Sequence, residues 1–449
     1  MSLVETESVS AGQRLTVIGT GYLGATHAVC MAELGYHVLG KDVDVAKIEK
    51  LAAGVVPFYE PGLEELLRKN LDAGRLRFTT SDEEAAAFGD IHFICVGTPQ
   101  KKGENAADMA YVNGAIEGLL PHLRPGAVIV GKSTVPAGTA ARLAEWIIAD
   151  AKVPGVELVW NPEFLREGFA VEDTLRPDRL VIGVDPAGNG EAVMRQVFAP
   201  LLAHGIPLVV TDFATAELVK VAANAFLATK ISFINAMAEV CEATGADVTL
   251  LSKALSYDPR IGGRFLHAGL GFGGGCLPKD IRAFMARAGE LGVDQALSFL
   301  REVDAINLRR RSRVVDLARE MLDGSFAGTS VGVLGAAFKP NSDDIRDSPA
   351  LDVAATCQRY GAAVRVYDPA AMDNARRDYP QLAYASSTLS AVEDADVVLH
   401  LTEWAQFREM DPDALASVVH QKKLVDGRNA LDPQQWRAAG WTYRALGRP

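Results

Sequence analysis

A short buried strand followed at once by a glycine-rich turn is the feature that most constrains the fold of this chain. Residues 14–18 (RLTVI) have the apolar composition of a buried strand, and Gly19-x-Gly21-x-x-Gly24 follows directly. An apolar helical pattern comes next, and a second strand at 36–39 ends near Asp42. This order of elements is the fingerprint of a dinucleotide-binding fold, in which glycines let the backbone approach a pyrophosphate. The sequence therefore predicts a doubly wound α/β domain at the start of the chain.

The acidic residue at the end of the second strand predicts which dinucleotide is bound. The Asp42 carboxylate can accept hydrogen bonds from the adenosine ribose hydroxyls, and it would repel a 2′-phosphate. We therefore predict NAD rather than NADP as the cofactor. Lys41 and Lys47 are close to Asp42 in sequence, so the pattern alone does not exclude NADP.

The order of strands and helices predicts three domains in the 449 residues. Strands at 91–96, 127–131, 156–160 and 179–184 alternate with helices, which gives a Rossmann-like domain over 1–210. The apolar and small residues from Thr215 to Gly245 predict one long helix, buried on more than one face, in a central helical domain over 211–325. Strands at 330–335, 363–367, 396–401 and 423–426 predict a second, smaller Rossmann-like α/β domain over 326–449.

Charge and cysteine content exclude several classes of protein. The formal net charge is −12, which argues against a nucleic-acid partner because such a partner needs a basic face. The five cysteines include no CxxC pair, and the odd number favours a reducing compartment. The polar stretch Met1 to Gly12 does not resemble a signal peptide, and no uninterrupted apolar stretch is long enough to span a membrane. We therefore expect a cytoplasmic protein, and the spacing of the eight histidines predicts no metal site.

The loop from Gly271 to Asp280 (GFGGGCLPKD) predicts a reactive thiol. Cys276 follows three glycines and precedes Pro278, which is typical of the first turn of a helix. The helix dipole and the neighbouring Lys279 should favour the thiolate form. A buried, unreactive thiol in a tight turn is the alternative interpretation.

Lys220 and Asn224 stand one helical turn apart on the long apolar helix. A cation and an amide on so apolar a helix should face a polar cavity, where they could stabilise an oxyanion. The alternative is an ordinary lysine that faces water.

Polar residues follow several strands at their carboxyl ends, where open α/β sheets bind ligands. Thr98, Thr134 and the stretch 161–168 (NPEFLREG) follow three strands of the first domain. In the last domain Phe338-Lys339 and Arg428 follow strands, and their cations suit a pyrophosphate. Solvated surface charge is the alternative for each of these groups.

Taken together, these motifs resemble the UDP-glucose/GDP-mannose dehydrogenase family. The resemblance runs in the family's order through GTGYLG at 19, VGTP at 96, KSTVP at 132, NPEFLREG at 161, GFGGGCLPKD at 271, FKPNSDDIRDSP at 338 and VDGRN at 425. The stretch from Asp258 to Cys276 is more similar to the members that act on UDP-glucose than to those that act on GDP-mannose. One departure is Gly275, which stands where the family commonly has serine.

The resemblance implies a role for each matching residue. The implied catalytic residues are Cys276 as nucleophile, Lys220 and Asn224 at the oxyanion, and Asp280, Thr134 and Glu163 at the hydrolytic water. The implied NAD-binding residues are Gly19, Gly21, Tyr22, Leu23, Gly24, Asp42, Lys47, Thr98, Thr134, Glu167, Lys279 and Arg346. The implied substrate-binding residues are Glu163, Phe164, Leu165, Arg166, Glu167, Lys220, Asn224, Arg260, Phe265, Leu266, His267, Ala268, Gly269, Gly273, Phe338, Lys339 and Arg428. The resemblance also implies a homodimer formed through the central domain, with Arg260 reaching the partner's substrate.

The implied reaction is a four-electron oxidation of the C6 alcohol of UDP-glucose to UDP-glucuronate with two NAD. Cys276 would carry a thiohemiacetal and then a thioester, which explains two oxidations in one site. The alternatives are a GDP-mannose 6-dehydrogenase, a two-electron dehydrogenase of the β-hydroxyacid type, and a nucleotide-sugar-binding protein without turnover. A β-hydroxyacid-type enzyme has no need of the cysteine loop, and the intact Cys276, Lys220, Asn224 and Asp280 argue against a binding protein.

Overall fold

The computed structural model describes residues 13–449, so the predicted absence of a signal sequence at 1–12 falls outside the described residues. The chain is divided into two compact units, Met1–Ala223 and Asn224–Pro449. Each unit contains one mainly parallel sheet, and helices form the start of the second unit. The predicted fold class, two doubly wound sheets with helices between them in the chain, is confirmed.

The first unit is built on an eight-stranded sheet in the order β3-β2-β1-β4-β5-β6-β7-β8. Every pairing is parallel except that between β6 and β7. The strands are β1 (Arg14–Ile18), β2 (His37–Lys41), β3 (Leu76–Thr79), β4 (Ile91–Ile94), β5 (Val128–Gly131), β6 (Glu157–Trp160), β7 (Leu180–Gly183) and β8 (Leu208–Thr211). The chain reverses its direction of growth between β1 and β4, and ligands of such sheets bind at the carboxyl ends beside that point.

Helices cover both faces of this sheet, which is why its central strands are buried on both sides. One apolar core contains Leu15 and Val17, and a second, on the other face, contains Ile18 and Ile129. The helices are α1 (Tyr22–Glu33), α2 (Val45–Ala52), α3 (Leu63–Asp72), α4 (Asp82–Phe88), α5 (Ala110–Leu119), α6 (Thr139–Asp150), α7 (Ala170–Leu175), α8 (Gly190–Val197) and α9 (Ala199–Leu202), with a 3₁₀ turn at Leu120–His122.

The predicted long helix is α10 (Phe213–Thr244), with 32 residues. It has the length and apolar composition of a membrane-spanning helix, which qualifies the expectation drawn from the sequence, but 44% of its most apolar window is buried within the fold. Ala228 and Ile234 belong to two separate apolar cores, so the helix is buried on more than one face, as predicted. Buried Ser232 and Asn235 donate to or accept from protein backbone, which is the behaviour of a core helix.

Three further helices follow α10 in the second unit. They are α11 (Val248–Ser256), α12 (Leu277–Glu290) and α13 (Phe299–Met321), with a 3₁₀ turn at Asp294–Leu297. The apolar side of α12 contains buried Ile281 and Ala288, with Phe284 and Met285 packed beside them. This confirms the helical spacing expected after the cysteine loop.

The second unit ends in a six-stranded parallel sheet in the order β11-β10-β9-β12-β13-β14. Its strands are β9 (Ser330–Leu334), β10 (Ala363–Tyr367), β11 (Ala383–Tyr384), β12 (Val397–His400), β13 (Lys423–Asp426) and β14 (Thr442–Ala445). Its helices are α14 (Pro349–Arg359), α15 (Met372–Asp378), α16 (Thr388–Val392), α17 (Ala405–Arg408), α18 (Pro412–Ala416) and α19 (Pro433–Ala438). The strand order again reverses between its first strand, β9, and its fourth, β12, so this sheet has its own ligand-binding edge.

Candidate active site

The glycine fingerprint leaves a gap for a pyrophosphate at the amino end of α1. A Cβ on Gly24 would lie 1.7 Å from the Gly19 carbonyl oxygen, so this glycine is needed for the close packing of helix on strand. A Cβ on Gly21 would meet nothing within 4 Å, and Gly21 caps α1 without a side chain. The first N–H groups of α1 are thus open to an anion, and the residues present fit the pyrophosphate of NAD.

Asp42 is held in the position expected for a ribose-binding carboxylate. Its oxygens accept hydrogen bonds from the Thr20 backbone N–H (2.8 Å), the Asp44 backbone N–H (3.1 Å) and the Lys47 ammonium (2.8 Å). Burial works to raise the pKa of Asp42, but these donors hold that pKa below its ordinary value. The carboxylate therefore stays charged and would repel a 2′-phosphate.

The two lysines that left NADP open in the sequence are both engaged. Lys41 is 4% exposed and forms an ion pair with Asp82 (2.5 Å). Lys47 forms its ion pair with Asp42 itself. Neither cation is placed to bind a 2′-phosphate without first losing its partner, which supports the NAD prediction.

The three polar strand ends of the first unit come together, as predicted. The Thr98 hydroxyl, after β4, donates to the Thr134 carbonyl, after β5, at 2.7 Å. The Lys132 ammonium, also after β5, donates to the Asn161 side-chain oxygen, after β6, at 2.9 Å. Lys132 is 4% exposed, and sequence reasoning assigned no role to it.

Glu163 is fixed by the same buried lysine. Its carboxylate lies 3.0 Å from the Lys132 ammonium and accepts the backbone N–H groups of Phe164 and Leu165. Burial works to raise the pKa of Glu163, yet Lys132 and these N–H groups hold it below its ordinary value. The Lys220 ammonium lies 5.5 Å from the centre of the Phe164 ring, so Lys220 of α10 faces this loop. The alternative of a lysine that simply faces water is therefore not what the structure has.

The loop 161–168 is anchored by Glu60, which sequence reasoning missed. The Glu60 carboxylate accepts the Gly168 N–H (2.7 Å), the Ala170 N–H (2.7 Å) and the Tyr22 hydroxyl. Burial and Glu60 raise the pKa of Tyr22. Because Tyr22 is the first residue of α1, Glu60 ties the loop that carries Glu167 to the start of the fingerprint helix. Arg166 of this loop turns away to Asp173, at 2.6 Å.

Cys276 occupies the predicted place at the amino end of α12. It is exposed, it is the N-cap residue, and Pro278 stands in the first turn of the helix. The other described cysteines are all buried. Cys276 is thus the thiol that a substrate can reach, and the alternative of a buried structural thiol is wrong.

The glycines before Cys276 are in close contact with the segment 344–349. A Cβ on Gly273 would lie 2.3 Å from the Asp347 carbonyl oxygen, whereas one on Gly275 would meet the Arg346 guanidinium at 2.2–2.4 Å. Gly274 has a φ of +83°, and its N–H donates to the Arg346 carbonyl at 2.8 Å. The loop therefore needs glycine both for contact and for backbone conformation.

Asp280 connects three of the predicted site residues. It is 3% exposed, accepts a hydrogen bond from the Asn224 amide (2.6 Å) and forms an ion pair with Lys279 (2.5 Å). Its N–H donates to the Cys276 carbonyl at 3.0 Å. The structure thus brings Asn224, Asp280 and the cysteine turn together, and it directs the Lys279 ammonium to Asp280.

Two buried asparagines hold the loop that precedes Cys276, and neither was predicted. The Asn235 side chain accepts the Gly269 N–H at 2.9 Å, and the Asn307 side chain bonds both the N–H and the carbonyl of Phe272 (2.7 and 3.0 Å). Both asparagines are fully buried. Phe265, at the start of the loop, has a φ of +65°, a rare conformation for a residue with a Cβ.

Arg428 is not the solvated surface cation that the sequence left open as an alternative. Its guanidinium donates to the carbonyls of Leu401 (2.8 Å), Gly271 (3.0 Å) and Phe338 (2.9 Å). Burial lowers its pKa. It therefore joins the glycine loop to two strand ends of the second sheet, and brings Gly271 and Phe338 to one edge.

Arg260 and Arg346 both have exposed guanidinium groups. The Arg260 side chain is 87% exposed and forms an ion pair with Asp258 (2.7 Å). The Arg346 side chain is 63% exposed and forms an ion pair with Asp344 (2.7 Å). Both cations are accessible to an anionic group from outside the chain.

These features of the first unit and of the cysteine turn define a class of protein. An NAD-dependent dehydrogenase is indicated by the dinucleotide fingerprint and by the ionised acid placed to bind the ribose. The buried lysine network lies at the carboxyl edge of the same sheet. An accessible cysteine at a helix amino end adds the capacity for covalent catalysis.

Comparison with known proteins identifies the family within this class. Residues 13–202 match the NAD binding domain of the UDP-glucose/GDP-mannose dehydrogenase family, residues 214–309 its central domain, and residues 332–433 its UDP binding domain. The chain belongs to this family, and the predicted resemblance and the NAD cofactor are confirmed.

Three relatives illustrate the similarity. The chain is 42% identical over 437 residues to a UDP-glucose 6-dehydrogenase of Rhizobium meliloti (97% of this chain, 100% of the relative). It is 41% identical over 446 residues to a UDP-glucose 6-dehydrogenase of Pseudomonas aeruginosa (97% and 98%). A solved structure of a UDP-glucose dehydrogenase from the archaeon Pyrobaculum islandicum superimposes with a TM-score of 0.90 at 37% identity, covering 98% of this chain and 99% of that one.

Proposed function

We propose that this protein oxidises the C6 alcohol of UDP-glucose to the carboxylate of UDP-glucuronate, with two NAD per sugar, in the cytoplasm. The observation that carries the proposal is the accessible Cys276 at the amino end of α12. A single oxidation of an alcohol needs no thiol, whereas oxidation of an aldehyde to an acid needs an adduct that can lose a second hydride. UDP-glucose is preferred to GDP-mannose because the relatives described above act on UDP-glucose.

Residues of the first unit are proposed to bind NAD, which supplies the hydride acceptor for both oxidations. The α1 amino end would hold the pyrophosphate, and Asp42 would hold the ribose. The other proposed contacts are Gly19, Gly21, Tyr22, Leu23, Gly24, Lys47, Thr98, Thr134 and Glu167, with Lys279 and Arg346 from the second unit. The ion pair between Lys47 and Asp42 supports a role for Lys47 in orienting the carboxylate rather than in binding phosphate.

Cys276 is proposed to act on the aldehyde that the first oxidation gives. Its sulfur would form a bond to C6, and the aldehyde oxygen would take the negative charge and then a proton. The second oxidation converts this thiohemiacetal into a thioester. Water then adds to the thioester carbon, the C–S bond breaks, and the thiol is regenerated with the carboxylate.

Lys220 and Asn224 are proposed to stabilise the oxyanion at C6. They stand one turn apart on α10. The Asn224 Nδ2 carries two hydrogens, so one can remain on Asp280 while the other meets the oxyanion. Asp280, Thr134 and Glu163 are proposed to orient or activate the hydrolytic water.

The nucleotide sugar is proposed to bind to residues 265–269, Gly273 and three residues that follow strands of the second sheet, Phe338, Lys339 and Arg428. Glu163–Glu167, Lys220 and Asn224 are proposed to contact it as well. The anchoring of this loop by Asn235 and Asn307 supports a preformed substrate site. Because each guanidinium nitrogen of Arg428 donates to a carbonyl and Glu403 lies 3.2 Å from its Nε, its proposed contribution is to shape this loop.

A homodimer is proposed to form through α10 and α11. Three large apolar side chains stand at intervals of seven residues on α10 and are exposed in the single chain: Phe226 (66%), Phe233 (48%) and Val240 (53%). Leu250 (65%) of α11 and Tyr257 (76%), its C-cap, are seven residues apart as well. Exposed apolar side chains at this spacing are typical of an interface. Exposed Arg260 lies just beyond Tyr257 in the sequence and would reach the partner's substrate.

We also propose the division into three domains at 1–210, 211–325 and 326–449. The breaks between the three matched family segments, at 202–214 and 309–332, support these boundaries.

The test is the end-point yield of NADH from limiting UDP-glucose. Two NADH per sugar, with UDP-glucuronate as product, is the expected result. One NADH with accumulated aldehyde would contradict the thioester mechanism. Faster NADH formation from GDP-mannose than from UDP-glucose would identify a GDP-mannose 6-dehydrogenase. Binding of UDP-glucose without formation of NADH would identify a nucleotide-sugar-binding protein without turnover.

A further inference from the structure

A row of basic side chains crosses the first sheet at its amino edge. Arg14 starts β1 and is paired in register with His37, which starts β2. Arg75 directly precedes Leu76 of β3, which is paired with Val38, so its backbone stands beside His37 at this edge. Its side chain turns towards α1 and α3. Residues in register on neighbouring parallel strands point to the same face, and the strands are about 4.8 Å apart. Arg77 lies two residues further along and shares that face.

These side chains line a cleft of about 300 Å³ together with Gly74 and Phe88. The guanidinium groups of Arg14 and Arg77 each lie 5.5 Å from the centre of the Phe88 ring. The Arg75 Nε donates to the Ala32 carbonyl (3.1 Å) and the Asn70 side chain (3.0 Å), which fixes its guanidinium while its terminal N–H groups remain available. Arg75 is therefore fixed by hydrogen bonds, and Arg14 and Arg77 flank the Phe88 ring.

The positive charge of this cleft is not neutralised by ion pairs among the described residues. Within residues 13–449, no ion pair joins Arg14, Arg75 or Arg77 to a carboxylate. Glu33 acts on Arg75 electrostatically, but its two oxygens are occupied by Lys69 and Asn70. Like charges in register across a sheet destabilise it, and an anion bound between them removes that repulsion. The concentration of cations is the more notable in a chain whose net charge is −12.

We propose that this cleft is a second anion site, which binds a phosphate-bearing small molecule. Guanidinium groups match phosphate oxygens, and two of them beside one ring, with Arg75 lining the same cleft, favour a ligand with several adjacent charges, such as a polyphosphate chain. The site lies at the amino edge of the sheet, opposite the carboxyl edge that carries Gly19 and Asp42. It is therefore separate from the proposed NAD site and could respond to a different ligand.

The test compares the full chain with two variants of equal charge. Arg14→Gln with Arg77→Gln removes two cleft cations that make no hydrogen bond to other described residues. Arg68→Gln with Arg195→Gln removes two exposed arginines of the same unit, each in a surface pair one helical turn long, and is the matched control. Isothermal titration with inorganic tripolyphosphate measures affinity, and circular dichroism confirms that all three proteins are folded.

Binding to the wild type and the control, with affinity at least about tenfold weaker in the cleft variant, is the expected result. The affinity should fall as NaCl is raised, because both partners are charged. A parallel titration with ATP distinguishes the source of the phosphates: tighter binding that is lost in Phe88→Leu identifies a nucleotide, and equal binding identifies the phosphate chain alone. Equal affinity in all three proteins, or no binding by the wild type, would overturn the proposal.

Discussion

Replacement of Glu60 by glutamine should loosen the loop that carries Glu167, although Glu60 itself touches neither proposed substrate. The carboxylate accepts three donors with two oxygens: Gly168 N–H and Tyr22 O–H on one, Ala170 N–H on the other. Glutamine keeps one oxygen and places an NH₂ group against the remaining donor. The variant keeps the shape of the side chain and changes only its charge and its hydrogen bonds.

The size of the effect follows from those contacts. One buried donor left without an acceptor costs about 1–3 kcal/mol, and loss of the negative charge weakens each retained hydrogen bond by about 0.5–1 kcal/mol. Glu60 is 7% exposed, so water cannot easily replace the lost acceptor. We expect a total loss of about 2–5 kcal/mol, which for a unit of this size corresponds to a fall in Tm of roughly 4–20 °C.

Two assays separate the local effect from simple instability. Differential scanning calorimetry gives the Tm, and initial rates at a temperature well below the transition give KM for NAD and kcat. We expect KM for NAD to rise several-fold, because the loop with Glu167 and the start of α1 lose their shared anchor. Glu64→Gln, an exposed change on the next helix where Glu64 pairs with Arg68, is the control. A Glu60 variant as stable as this control, with an unchanged KM for NAD, would refute the reasoning.

Three further predictions concern the site and the assembly. Cys276→Ser should stall after the second oxidation, because an ester hydrolyses more slowly than a thioester. Mass spectrometry after incubation with UDP-glucose and NAD should therefore find an added sugar-nucleotide acyl group on the protein. Normal UDP-glucuronate formation by Cys276→Ala would show that the thiol is not the nucleophile. Asp42→Ala should weaken the binding of NAD by about tenfold and reduce the preference for NAD over NADP, measured as the ratio of kcat/KM for the two cofactors. Efficient use of NADP by the wild type would contradict this role. Phe233→Asp should shift the protein from dimer to monomer in light scattering, with exposed Leu291→Asp on another surface as control, and an unchanged mass would remove α10 from the interface.

Most of the fold and of the candidate site could be predicted from local sequence patterns. The fingerprint, the long helix and the cysteine turn are each encoded within a few tens of residues, so their spacing was readable and the structure has them where expected. The four strands that were missed, β3, β8, β11 and β14, are only two to four residues long and partly exposed. Three of them lack a continuous apolar run, and β8 (LVVT) has one of only three residues, at the expected end of the first domain.

The residues that sequence reasoning missed act over long separations. Glu60 is 108 residues from Gly168, and Asn307 is 35 residues from Phe272, so no local motif links either partner. The fate of Lys41 was equally unreadable, because Asp82 lies after two further helices and a strand. Whether a polar residue is a ligand contact, a loop anchor or an ion-pair partner is decided by such distant contacts.

The contacts of the glycine loop set unequal limits on how this sequence can drift. At Gly273 any side chain would strike a backbone carbonyl, and at Gly274 it would have to adopt a φ of +83° against the Phe338 ring. At Gly275 it would meet only the end of the Arg346 side chain, which can swing aside. A saturation library across the loop should therefore retain glycine at the first two positions and admit serine at the third. Position 275 is the place beside the nucleophile where natural variation can retune a guanidinium without rebuilding the turn.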